Sequence, residues 1–347
     1  YACLNQLVNL LKSRLYFLLV LCLLGWGLWV FVKLQTEGAS LGQISYSARM
    51  LDLPSALPNE PIRPMSEPQA LDAAKVALGR QLFHDRRLSA DSSLSCASCH
   101  PLDRGGADGL PVSIGVGGKV GSINSPSVIT AAYNFRQFWD GRAGSLEEQA
   151  GGPVVNPIEM ASTWPQVIEK LGSDHEIKQQ FSRVYRDSLT PANIRDALAE
   201  FERSLARPAR FDRWLRGDSN ALSNEEVTGY QLFKKHGCAG CHQGINIGGN
   251  LFQRFGTMAP YFSPGLGTKA DLGRFNVTGR EEDKHFFKVP SLRNVALTAP
   301  YFHNAAALTL DEAVRLMGRY QLGLELPEHD IEHIVQFLGT LNSGSAP

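Results

Sequence analysis

Neither sign of charge is in excess. The chain sets 34 Lys and Arg against 34 Asp and Glu in 347 residues, so it offers neither the basic surface that nucleic acid selects nor an acidic tail. Charge is missing altogether from residues 15–32, LYFLLVLCLLGWGLWVFV. That run is just long enough to cross a bilayer and longer than most signal-peptide cores. Residues 1–33 therefore read as a membrane anchor, with Lys12 and Arg14 holding the N-terminus in the cytoplasm and the rest outside. A cleaved signal peptide is the competing reading, but the small-residue stretch EGAS comes late for a cleavage site. Between Pro101 and Phe138 there is no His, Met or Cys, an absence that gains meaning from what precedes it.

The cysteines are informative through their neighbours. Cys3 and Cys22 lie in the N-terminal segment, and the other four form two C-x-x-C pairs, each followed at once by histidine: Cys96, Cys99 and His100, then Cys238, Cys241 and His242. A disulfide framework does not need that histidine twice, and neither a thioredoxin-like pair nor a zinc site fixes it at the fifth position. The pattern is that of covalent c-type haem, with both cysteines forming thioethers and His100 and His242 as proximal iron ligands. GRQLF (Gly79 to Phe83) precedes the first motif and GYQLF (Gly229 to Phe233) the second, so one unit is duplicated.

Helix signals frame both copies. Leu71, Ala74, Leu78 and Leu82 form one stripe, and Thr190 with Pro191 opens another through Ile194, Leu198, Phe201 and Leu205. Ser223 with Glu226 and Thr309 with Glu312 read as capping boxes, and Pro327 opens a last helix through Ile331, Val335 and Leu338. From His242 to His303 the chain is Gly- and Phe-rich with little periodicity, which predicts loops and at most a short hairpin. The expected fold is mainly α: two tandem c-type cytochrome domains with long loops, at 66–210 and 211–347, preceded by a tether at 34–65 and the N-terminal transmembrane helix.

The sixth iron position separates electron transfer from reaction. Only Lys119 and Tyr133 between residues 101 and 138 could ligate even in principle, so the first iron is expected to be open. The second motif is followed by Met258 and Met317, and Met317, on the capped helix, is the expected soft ligand of an electron-transfer haem.

Five stretches, LFHDRRLSADSSLSCASCH, FWDGRAGSLEEQA, NPIEM, VPSLRNVALTAPYFHN and LDEAVRLMGRYQLG, carry a resemblance. They resemble, in order, the bacterial di-haem cytochrome c peroxidase family, which includes the MauG-type enzymes; the similarity spans about residues 66 to 345. The resemblance implies a peroxidatic haem at His100 and a high-potential electron-transfer haem at His242 and Met317. It also implies Trp139 between the haems, Gln149 and Glu159 as peroxide-handling side chains, and a calcium ion bound by Asn124, Thr298 and Pro300. Glu159 has the chemistry for that role, since a carboxylate over an open iron can take a proton from one peroxide oxygen and return it to the other. His303 is expected to bond a haem propionate or the backbone.

Many members carry a removable histidine before FWDGR, where this chain has Val116. Valine cannot ligate iron, so peroxide should bind without reductive activation. The implied activity is reduction of hydrogen peroxide to water in the periplasm, with electrons from a small c-type cytochrome, a cupredoxin or the quinol pool; the family also implies a homodimer. A MauG-type oxidase of tryptophan or other residues in a partner protein is the runner-up, and a plain electron carrier the third reading.

Overall fold

A computed structural model describes residues 60–66, 70–186, 188–262 and 267–343. The expected anchor and most of the tether lie outside them. Among the described residues no helix is long and apolar enough to cross a membrane. The architecture is mainly helical, as expected.

The first half runs through α1 (Ala73–Phe83), the one-turn α2 (Cys96–Cys99), α3 (Leu146–Val155), α4 (Trp164–Gly172), α5 (His175–Val184) and α6 (Pro191–Arg203). Asp72 caps α1 by accepting from the amides of Ala74 and Lys75, so Leu71 lies ahead of the helix and the buried face starts at Leu78. Thr190 caps α6 as its sequence predicts, and Ile194, Leu198 and Phe201 are buried. The second half has α7 (Arg210–Leu215), α8 (Asn224–Lys235), β1 (Phe252–Arg254), α9 (Phe275–Thr278), β2 (Phe286–Lys288), α10 (Leu310–Leu316) and α11 (Glu328–Gly339). Ser223 and Glu226 close a reciprocal capping box on α8. At α10 only half of that pattern forms, because Glu312 reaches back to the amide of Leu308 instead of Thr309. The two strands pair antiparallel, but a long excursion separates them, so they are not a tight hairpin.

The duplication has a packing reason. α1 crosses α6, and α8 crosses α11, each at the glycine of the repeated pentapeptide. A Cβ on Gly79 would lie 1.9 Å from the carbonyl oxygen of Ala197, and one on Gly229 would lie 1.9 Å from that of His333. Close backbone approach demands glycine at both positions. One helical turn on, Phe83 meets Phe201 edge-on at 5.3 Å and Phe233 packs on Phe337 at 5.3 Å. Burying each phenyl ring contributes roughly 1.5–3 kcal/mol, so both cores are anchored the same way. Leu205 belongs to the first buried cluster and Phe211 to the second.

The end of the expected tether is not free linker. Ile62 is fully buried in the second cluster, Glu60 pairs with Lys234, and the Met65 amide donates to Asp212 at 2.6 Å. An apolar Ile and Met within a proline-rich stretch supply burial that a solvated linker would lack. Asp212 also holds Arg293 through two 2.8 Å bonds, both side chains essentially excluded from solvent.

Candidate active site

The first C-x-x-C-H motif forms its own one-turn helix and the second follows closely on the end of α8, and both histidines are fixed by the same device. His100 turns Nδ1 toward the carbonyl of Gly106 at 3.0 Å, and His242 turns Nδ1 toward that of Ile247 at 3.3 Å. This selects the tautomer with its proton on Nδ1 and leaves Nε2 as the lone-pair donor, which a metal-bound imidazole requires. Burial lowers the pKa of both rings, that of His242 to about 4, so they stay neutral. The thiols move the opposite way: burial pushes Cys96 up to about 12 and Cys238 to about 11. A redox-active C-x-x-C pair needs a lowered thiol pKa, so these environments fit covalent haem attachment.

His242, Cys238 and Cys241 face a cavity that Met317 also lines. Met317 follows α10 directly and opens a π-helical turn, Met317–Leu322, a distortion common at functional sites. Met258 is 63% exposed and does not line this cavity. Of the two methionines, Met317 is the one that lines the cavity. Its other walls fit the flat, apolar body of a haem: Phe233, Leu292, Val314, Leu326 and Leu338.

Trp139 lies on the wall of this same cavity. Its indole Nε1 donates to the carbonyl of Asn124 at 2.9 Å, and the next residue, Ser125, places its hydroxyl 3.4 Å from His100 Nδ1. One short segment thus joins the indole at the second site to the proximal histidine of the first.

On the first site the loop 113–121 lies against the turn after α3. The Val116 amide donates to the carbonyl of Glu159 at 2.8 Å, and a Cβ on Gly115 would lie 2.1 Å from the carbonyl oxygen of Ile158. Lys119 bonds the carbonyl of Pro157 at 2.8 Å, and Tyr133 lies within the field of Arg293 and Asp212 in the other half. Glu159 is half-buried, and Asn156 Nδ2 donates to its Oε1 at 2.6 Å. Burial raises the Glu159 pKa against the opposing pull of Asn156 and the Arg142 charge. Gln149 shares the face of α3 that leads through Gly152 to Asn156, and Gly152 abuts the ring of Phe138, the neighbour of Trp139.

His303 Nε2 bonds Asp271 Oδ1 at 2.8 Å, and the ring stacks on Phe287 at 4.3 Å. Asn124, Thr298 and Pro300 all line the cavity. Asn124 Nδ2 is engaged with Leu110, which leaves its Oδ1 for a cation. The three carry no charge, and among the described residues no three His, Cys, Asp or Glu side chains gather as a metal site.

Three residues were not singled out from the sequence: Asn156, Lys288 and Glu202. Asn156 stands one turn before Glu159 in NPIEM. Glu202 falls on the apolar face of α6, four residues after Leu198, and an acid there is itself a signal. It is 6% exposed, its charge is felt at Cys96, and burial pushes its pKa to about 8. The folded protein therefore keeps a proton that the unfolded chain releases near 4.5. Stability attributable to this group is full below about pH 4.5 and falls as pH rises toward about 8, by up to about 5 kcal/mol. Glu202→Gln should flatten that fall. Urea melts of both proteins at pH 5 and pH 8 check it, and equal pH dependence in the two would refute it.

Known proteins resemble this chain. The di-haem cytochrome c peroxidase family model matches residues 73–220. The cytochrome c peroxidase Ccp of Escherichia coli K12 is 55% identical over 83% of this chain, a match spanning 62% of that protein's length. Cytochrome c551 peroxidase of Nitrosomonas europaea is 42% identical, covering 90% of this chain and 93% of that one. The methylamine utilization protein MauG of Methylorubrum extorquens is 33% identical over 82% and 84%. The crystal structure of a MauG-like protein associated with microbial copper homeostasis superposes with a TM-score of 0.72, at 27% identity, over 84% of this chain and 95% of that one. The chain belongs to the di-haem cytochrome c peroxidase family.

Proposed function

We propose that the chain reduces hydrogen peroxide to water with two electrons and two protons, the electrons entering at the haem of His242 and Met317. The peroxidase class follows from the family and from its greater identity to the named peroxidases than to MauG. Haem on Cys96, Cys99 and His100 would supply an iron centre able to bind and cleave peroxide. The protein's part is to move protons and position the substrate. Asn156 fixes Glu159 Oε1, so Oε2 is the oxygen available to take the proton of the near peroxide oxygen and return it to the departing one. Gln149 would donate a hydrogen bond to the peroxide, and Trp139 would offer an oxidisable ring between the two sites.

The observation that best supports an always-open first site is the seating of the 113–121 loop on Glu159, with valine at its point of contact. The peroxidase is periplasmic on this reading, tethered through residues 15–32, and draws on a small cytochrome, a cupredoxin or the quinol pool, with a homodimer as its assembly. A calcium ion at Asn124, Thr298 and Pro300 would draw the rest of its oxygens from backbone and water.

The open first site also favours a second reading, oxidation of tryptophan or another residue in a partner protein. Stopped-flow mixing of the diferric protein with stoichiometric peroxide separates the two. A rapid spectral change that a reduced donor cytochrome quickly reverses is expected. A long-lived change indifferent to donor would favour the second reading, and no reaction before one electron is added would refute the open site.

A further inference from the structure

β2 carries a lysine into the wall of the second cavity. Lys288 is 6% exposed and lines the cavity with His242, Met317 and Trp139. Its backbone is already committed: the amide donates to the Trp139 carbonyl at 2.8 Å, and the residue pairs with Phe252 across the strands. The root of the side chain is therefore fixed beside the indole.

Its ammonium group has no counter-charge among the described residues. Burial alone acts on it and pushes its pKa down to about 8. No acidic side chain among the described residues bears on it, and none lines the cavity. A buried ammonium is costly unless it is paired and hydrogen-bonded. Arg293, the other buried cation lining the cavity, has its partner in Asp212, so the partner of Lys288 is sought in what the cavity holds.

We propose that Lys288 is the counter-ion of a haem propionate in the second cavity. The pairing turns the carboxylate edge of that haem toward the wall it shares with Trp139. It also places a positive charge where it favours the reduced, less positive iron. This rests on the di-haem reading above, and it gives a binding role to a residue that neither ligates iron nor handles peroxide.

The test is a spectroelectrochemical titration of the holoprotein and of Lys288→Gln and Lys288→Arg, with haem counted by pyridine haemochrome. Lys288→Gln should lower the midpoint of the His242/Met317 haem and leave that of the first haem in place, while Lys288→Arg stays near the parent. Loss of the second haem in the Gln variant alone would support the pairing equally, since only the charge differs. An unchanged midpoint with full haem content would overturn it, as would equal shifts in both haems or loss of the second haem in both variants. A parent protein with fewer than two haems would instead defeat the di-haem reading itself.

Discussion

Glu159→Gln lowers the rate of reaction with peroxide by ~10²–10⁴-fold, the usual worth of a positioned general acid–base, while both haems remain attached. The substitution is nearly isosteric, and Asn156 can still donate to the retained carbonyl oxygen where it now donates to Oε1. The loop that seats Val116 is held by the Glu159 backbone, which the change does not touch. What disappears is the oxygen that accepts the proton. The pH profile carries a second signature. Burial raises the Glu159 pKa, and the proton-accepting form exists only above it. The parent rate should therefore decline on acidification, beginning above the usual carboxylate range, and the Gln variant should lose that limb. Stopped-flow rates across pH 4 to 8 check both; an unaltered rate would assign Glu159 to the mere support of its loop.

Val116→His closes the first site in the diferric protein. The backbone at 116 is pinned by its amide to Glu159 at 2.8 Å, and Gly115 and Lys119 close the loop by a 2.7 Å bond. An imidazole introduced there projects from a fixed root beside Glu159. If it ligates so that the site is open ~1% of the time, peroxide reacts ~100-fold more slowly. The resting spectrum should lose its high-spin band near the red end, and adding one electron should restore reactivity by releasing the ligand. A spectrum and rate equal to the parent's would place position 116 out of reach of the iron.

Much of the fold was legible because its signals are local. A cap such as Thr190 or Ser223 acts within one turn, and a stripe such as Ile194, Leu198 and Phe201 records a helix facing a core. Leu71 misled because periodicity does not know where a cap falls, and Asp72 took that role. Residues 60–65 misled because prolines and serines describe a linker by composition, whereas Ile62 and Met65 found a core distant in sequence.

The sequence alone determined the chemistry that depends on spacing. Two cysteines and a histidine within five residues make the pattern of covalent haem attachment, and the repeated glycine pentapeptide announced the same helix crossing twice. Tertiary structure decided every choice between residues of one type. Met317 lines the cavity and Met258 does not, and His303 was given to Asp271 by a partner 32 residues away. Lys288 acquired a role only because no acid lines the cavity it faces. These are questions of who is left unpaired once the chain has closed, and burial makes the answer matter by removing the water that would otherwise satisfy each group.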